Sequence, residues 1–176
     1  MNPFEHLIHR YGNLVFGIVR KHATPDQAED IAQDVFLRAF EALPNLRNPA
    51  SFKSWISAIA VRTCLDFWRK HYREREVLIS DISTNRLQWL DGVLSENSDN
   101  DWRTWSNRAE AREILDWALG KLSPGDRMVL ELIHLEEYSV KEAASLLGWS
   151  VANVKIRSFR SRRKLRKLLS NSMEAP

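Results

Sequence analysis

Cysteine is nearly missing from this chain: Cys64 is the only one in 176 residues. A lone cysteine excludes an internal disulfide framework and any CxxC zinc site, and within a helix it reads as a small buried residue. Glycine and proline number six each, too few for a β-rich or collagen-like chain. No apolar run approaches the about 20 residues that cross a bilayer. Residues Met1 to Arg10 lack the charged-then-apolar order of a secretory leader, so a cytoplasmic location without stable membrane insertion is the default expectation. Also missing are a Ser-His-Asp order, a phosphate-cradling glycine loop and a supported pair of catalytic carboxylates. His6 and His9 lie three apart, but two imidazoles without a third ligand make a poor metal site. His22, His71 and His134 are isolated. The expectation is no enzyme, no metal and no cofactor.

What is present belongs to a folded chain. Hydrophobic residues make up 44% and charged residues 28%, and seven Trp with seven Phe are not the composition of disorder. The length suits one ordinary domain or two small ones. Net charge is only +3, yet it is unevenly spread. Residues 1–70 hold nine Lys/Arg against seven Asp/Glu, 71–108 five against seven, and 109–176 twelve against nine. Asn153 to Lys167 carries eight basic residues and no acid. Such a block is either a footprint for a polyanion or a solvated helix face.

Apolar residues recur with a helical period throughout. Phe4, Leu7, Ile8, Tyr11, Val15, Ile18 and Val19 mark a first helix. Thr24-Pro25-Asp26-Gln27 opens a second, with Pro25 at its first position and Gln27 placed to close a capping box. Its buried stripe is expected at Ala28, Ile31, Ala32, Val35, Phe36, Ala39 and Phe40. Asp26, Glu29, Asp30, Gln33, Asp34 and Glu41 fall on the opposite face. After a loop framed by Pro44 and Pro49, a third helix from Ser51 to His71 buries Phe52, Trp55, Ile56, Ile59, Ala60, Thr63 and Phe67. From Tyr72 to Arg108 the pattern gives way to polar, turn-rich sequence, read as an acidic linker with a short helical piece around Leu87 to Leu94.

The last third is sharply punctuated. Ser123-Pro124-Gly125-Asp126 starts a helix that ends near Leu135. Ser139-Val140-Lys141-Glu142 is a capping box opening a short helix to Leu147, Gly148 stands where a helix would end with positive φ, and Ser150 caps a final helix. A short helix, a glycine turn and a second helix is the order of a helix-turn-helix. Ala143, Ala144, Leu147 and Val154 are expected to pack inward. The final helix would draw its apolar face from Val154, Phe159, Leu165, Leu168 and Leu169. Its N-terminal residues would meet base edges and phosphates in a major groove, with Asn153 suited to adenine and Arg157 to guanine or phosphate.

Two stretches carry a family resemblance. Leu122-Ser123-Pro124, Tyr138 to Ala144, Leu147 to Ser150, Asn153-Val154-Lys155, Arg157 and Arg160 to Leu165 resemble the reading domain of extracytoplasmic-function (ECF) sigma factors, which binds the minus-thirty-five promoter element. Asp26 to Phe40 is similar to that family's polymerase-binding helix, and Ser51 to Ile56 with Ile59 to Asp66 to its minus-ten helix. The resemblance implies an all-α protein of two small helical domains joined by a flexible linker. Residues 1–72 would bind core polymerase and the minus-ten element, 73–108 would be the acidic linker, and 109–176 would carry the helix-turn-helix.

It further implies site residues. Core RNA polymerase would meet Asp26, Glu29, Asp30, Gln33, Asp34 and Leu37; Asp30 and Asp34, four apart, share a face and suit partner arginines. The minus-ten DNA, single-stranded after opening, would meet Arg47, Asn48, Ser51, Lys53, Trp55, Arg62, Asp66, Arg69 and Lys70, where basic and aromatic residues interleave. The minus-thirty-five duplex would meet Lys141, Ser150, Val151, Ala152, Asn153, Lys155, Arg157, Ser158, Arg160 and Arg162. An anti-sigma factor is a further implied partner. The competing readings are a stand-alone helix-turn-helix regulator and a basic helix lying on anionic membrane.

Overall fold

The computed structural model describes residues 3–71 and 108–173. Among the described residues the regular structure is helical, with no strand. Seven α-helices follow in order: α1 Pro3–His22, α2 Pro25–Ala42, α3 Phe52–His71, α4 Arg108–Gly120, α5 Pro124–Leu130, α6 Val140–Leu147 and α7 Val151–Met173. Short 3-10 turns at Leu43–Asn45 and Pro49–Ser51 frame the α2–α3 loop. The expected acidic linker, with its helical piece at Leu87 to Leu94, lies outside the described residues but for Arg108. The contacts divide the chain into two compact units, the first built on α1–α3 and the second on α4, α5 and α7.

In the first unit α1, α2 and α3 all pack against one another. Val15, Ile18 and Val19 of α1 meet a core of Ala28, Ile31, Ala32, Val35, Phe36 and Ala39 from α2 and Phe52, Ile56, Ala60, Val61, Cys64 and Leu65 from α3, all buried. These are mostly the residues the helical period selects. The side chains of Phe4 and Leu7 lie outside the described residues. Thr24 precedes α2 with extended backbone, and Gln27 Oε1 accepts from Thr24 N at 3.5 Å. Trp55, Ile59 and Phe67, expected in the α3 core, are only half-buried, and two apolar expectations fail outright. Ile8 is 38% exposed, and Phe40, expected in the α2 core stripe, is 51% exposed. Phe40 sits in the last turn of α2, where the chain turns away through Leu43–Asn45. It lies seven residues beyond Gln33 and three beyond Leu37, at the edge of the outward stripe of α2. His22 is buried at the end of α1, edge-on to Trp68 with ring centroids 5.9 Å apart.

The second unit centres on Leu115, Ala118, Leu119, Leu122, Leu130, Leu165 and Leu169. Burying each of these leucines contributes about 1.5–3 kcal/mol relative to exposure. Ser123 caps α5, its hydroxyl accepting from Asp126 N at 3.3 Å with Pro124 at the first position. α5 widens into a π-helical turn at Glu131–Leu135. Buried Glu131 is matched by Arg127, Nε to Oε1 2.9 Å, as a buried carboxylate requires.

Candidate nucleic-acid interface

The helix-turn-helix forms as its residues dictate. Ser139 and Glu142 close the capping box: Glu142 Oε2 accepts from Ser139 N at 2.9 Å and from the Ser139 hydroxyl at 2.6 Å, while Ser139 Oγ accepts from Glu142 N at 3.2 Å. These bonds, the hydroxyl first, hold the Glu142 carboxyl below its ordinary value. α6 ends where Gly148 takes φ 69°, with Trp149 N donating to Ala144 O at 3.0 Å. That is the left-handed termination only glycine adopts at no steric cost. Ser150 immediately precedes α7.

α7 is sharply two-sided. Val154, Ser161, Leu165 and Leu169 are buried. Val151, Ala152, Asn153, Lys155, Ile156, Phe159, Arg160, Arg163, Lys164 and Lys167 are exposed. Of the residues expected on minus-thirty-five DNA, Lys141, Ser150, Val151, Ala152, Asn153, Lys155 and Arg160 therefore reach solvent. Arg157, Ser158 and Arg162 are only half-exposed. Arg157 Nη1 reaches back to Asp126 Oδ1 of α5 at 2.7 Å. Phe159, expected on the inward face, is instead 61% exposed, and Ile156 is 52% exposed. Helical geometry explains the correction. Phe159 lies five residues beyond Val154, about 140° round the helix, and three beyond Ile156, so it joins the outward face. Ile156, Phe159 and Arg163 were absent from the expected contact set. The signal that finds them is their place opposite Val154, Ser161 and Leu165.

On α2, Asp26, Glu29, Asp30, Gln33 and Leu37 are exposed along one stripe, with Asp34 half-exposed beside them. Phe40 belongs to this stripe, which therefore ends in apolar surface. Phe40, Glu41, Leu43 and Pro44 line a shallow, mostly apolar hollow there.

In the loop before α3, Asn48 Oδ1 accepts from Ala50 N at 3.0 Å and the Ser51 hydroxyl donates to Asn48 O at 2.8 Å. This turn fixes the entry to α3 and leaves Arg47 and Asn48 exposed. Trp55, Arg62, Asp66 and Arg69 follow at intervals that share one helix face; Lys53 and Lys70 are exposed elsewhere on α3. Trp55 is half-buried, 5.3 Å from the Phe52 ring, which in turn lies 4.5 Å from Tyr11. Asp66 pairs with Arg38 at 2.9 Å and Arg69 at 3.5 Å. Arg38 also grips Asp34 and was not among the expected site residues.

Among the described residues no group of three His, Cys, Asp or Glu could hold a metal, and no helix is long and apolar enough to cross a membrane.

Comparison with known proteins gives these surfaces a family. The model for Sigma-70 region 2 matches residues 7–74 and that for Sigma-70 region 4 matches residues 112–165. The chain is 29% identical over 164 residues to RNA polymerase sigma factor YlaC of Bacillus subtilis, covering 93% of this chain and 90% of YlaC. It is 30% identical over 172 residues to RNA polymerase sigma factor CnrH of Cupriavidus metallidurans, covering 97% of this chain and 88% of CnrH. The structure of CnrH in complex with the cytosolic domain of CnrY superposes with a TM-score of 0.55 at 27% identity, over 96% of this chain and 88% of that one. The sigma factor RpoE of Bartonella quintana, solved with the anti-sigma factor NepR, shares the fold at a TM-score of 0.54 and 23% identity, over 97% and 98% of the two chains. With a relative at that identity over nearly the whole length, and both regional models in their proper order, the chain belongs to the sigma-70 family of RNA polymerase sigma factors, in its extracytoplasmic-function branch.

Proposed function

We propose that this sigma factor docks on core polymerase through the outer stripe of α2, holds the opened minus-ten strand along α3 and the loop before it, and reads the minus-thirty-five duplex with α7. The observation that carries the reading is the opposed chemistry of two outward faces. α2 presents acids ending in the apolar Leu37 and Phe40. α7 presents Lys155, Arg160, Arg163, Lys164 and Lys167 around Ile156 and Phe159. Acids with an apolar tip suit a basic, partly apolar protein surface, whereas a basic helix after a short turn suits a major groove.

The domain limits that go with this reading are 1–72 and 109–176, with 73–108 spanning between their sites. Polymerase holds both DNA contacts at fixed separation, so two modest interactions act as one strong one. The protein carries no chemistry of its own; catalysis belongs to polymerase. It acts where polymerase acts, in the cytoplasm. By likeness to CnrH, solved with the cytosolic domain of CnrY, and to RpoE, solved with the anti-sigma factor NepR, an anti-sigma factor is the controlling partner.

The test is transcription in vitro with purified chain, core polymerase and the chain's own upstream DNA. A specific transcript that depends on the chain, and falls with Asp30→Lys, is the expected result. Tight binding to duplex DNA without core, unaltered when core is added, would favour a stand-alone regulator instead.

A further inference from the structure

One arginine holds two acids that the proposed function assigns to different partners. Arg38 reaches from α2 to α3, donating from Nη1 to Asp66 Oδ2 at 2.9 Å. It grips Asp34 with its other edge, Nε to Oδ1 3.2 Å and Nη2 to Oδ2 3.1 Å. Beyond Asp66, Arg69 Nη1 lies 3.5 Å from Asp66 Oδ1. Charges thus alternate along Asp34, Arg38, Asp66 and Arg69, from the docking face of α2 to the basic end of α3.

Asp66 is the acid on a stripe shared with Trp55, Arg62 and Arg69. A bare carboxylate there opposes any phosphate that approaches. Arg38 supplies the compensating charge, and its planar fork fixes the carboxylate's orientation in a way a point charge does not. The two-toothed grip on Asp34 holds Arg38 in place. A guanidinium stays protonated throughout the working pH range, so the compensating charge is permanent; the Asp66 hydrogen bond, opposed by partial burial and aided by Asp34, raises its proton affinity further.

We infer that Arg38 is a positioning residue for promoter opening: together with Arg69 it offsets and orients Asp66, so that the arginines of the α3 stripe, and not a bare carboxylate, face the opened strand. This rests on the proposed role of α3. The polymerase and the DNA touch its neighbours; Arg38 acts through Asp66.

The experiment uses holoenzyme made from core polymerase and the full chain on the chain's own upstream promoter. Assembly is read on native gels and opening by permanganate reactivity of minus-ten thymines. Arg38→Ala should assemble within about threefold of the parent but open about tenfold less, because Asp66 then keeps only the longer contact to Arg69 and faces the strand less compensated and unoriented. Arg38→Lys, which keeps the charge without the fork, should fall between. Adding Asp66→Asn to Arg38→Ala should raise opening above the Arg38→Ala level, to that of Asp66→Asn alone, since Arg38 acts only through this carboxylate. A mere tie between α2 and α3 predicts otherwise, because the double variant lacks the tie as fully as the single one. If Arg38→Ala does not assemble, Arg38→Gln with and without Asp66→Asn makes the same comparison. Opening by the arginine variants equal to the parent's, or no gain from Asp66→Asn, overturns the inference while leaving the functional reading intact. A parent chain that neither assembles nor opens DNA overturns both.

Discussion

Arg157 Nη1 of α7 lies 2.7 Å from Asp126 Oδ1 in the first turn of α5, across 31 residues of sequence. The pair is half-sheltered, with side chains 37% and 20% exposed. Asp126 also sits where an acid is favoured by the helix dipole. The contact ties the second turn of α7 to the helix beneath it, and so sets which face of α7 points outward. We expect Asp126→Asn and Arg157→Gln to weaken minus-thirty-five binding by similar factors, uniformly over base changes in the element. The double variant should be less than additive. Anisotropy titration of holoenzyme on a panel of promoters checks this. A loss confined to one base position would instead make Arg157 a base reader.

Ile156 and Phe159 present apolar surface from the outward face of the same helix. In a major groove such surface meets thymine methyl groups. Ile156→Ala and Phe159→Ala should each reduce discrimination by about 1 kcal/mol at a single base position, leaving the melting temperature nearly unchanged because both side chains are more than half exposed. Competition binding with thymine replaced by uracil, which lacks the methyl, measures the contact directly.

Leu165 tests the other side of α7. It is fully buried among Leu115, Leu119, Leu122 and Leu130. Leu165→Ala should cost about 2–5 kcal/mol through lost burial and a residual cavity. Denaturant unfolding should show that loss together with weakened binding to every minus-thirty-five sequence.

The outward stripes of α2 and α7 were legible in the sequence because helical period alone separates them from Ala28, Ile31, Val35 and from Val154 and Leu165. The capping box at Ser139 and the glycine turn at Gly148 were legible because their determinants are local. Phe40 falls between buried Phe36 and exposed Leu37 round the helix, and period alone does not decide which side of that edge is covered. The Asp126 partner of Arg157 and the Asp66 partner of Arg38 are not legible for a different reason. They stand 31 and 28 residues away, and a charge in sequence looks the same whether it faces DNA or another side chain.

Acid should loosen the start of α6. The Glu142 carboxyl is held below its ordinary value by the Ser139 hydroxyl and backbone N–H. A lowered folded value gives stabilisation that is present above the ordinary glutamate value of about 4.3 and is lost as pH falls through the folded value. Ser139→Ala should return Glu142 toward the ordinary value in an NMR titration. Glu142→Gln should remove this part of the acid sensitivity from thermal melts, since its amide does not ionise.

At 23 residues, α7 extends for about 34 Å, while the groove it would enter is about 12 Å wide. Only its opening turns fit between the strands. Arg163, Lys164 and Lys167 ride on the overhang, attracting the duplex from a distance before any base is touched. Their contribution belongs to how often protein and DNA find one another, and added salt should slow that arrival more than it blurs which sequence is chosen.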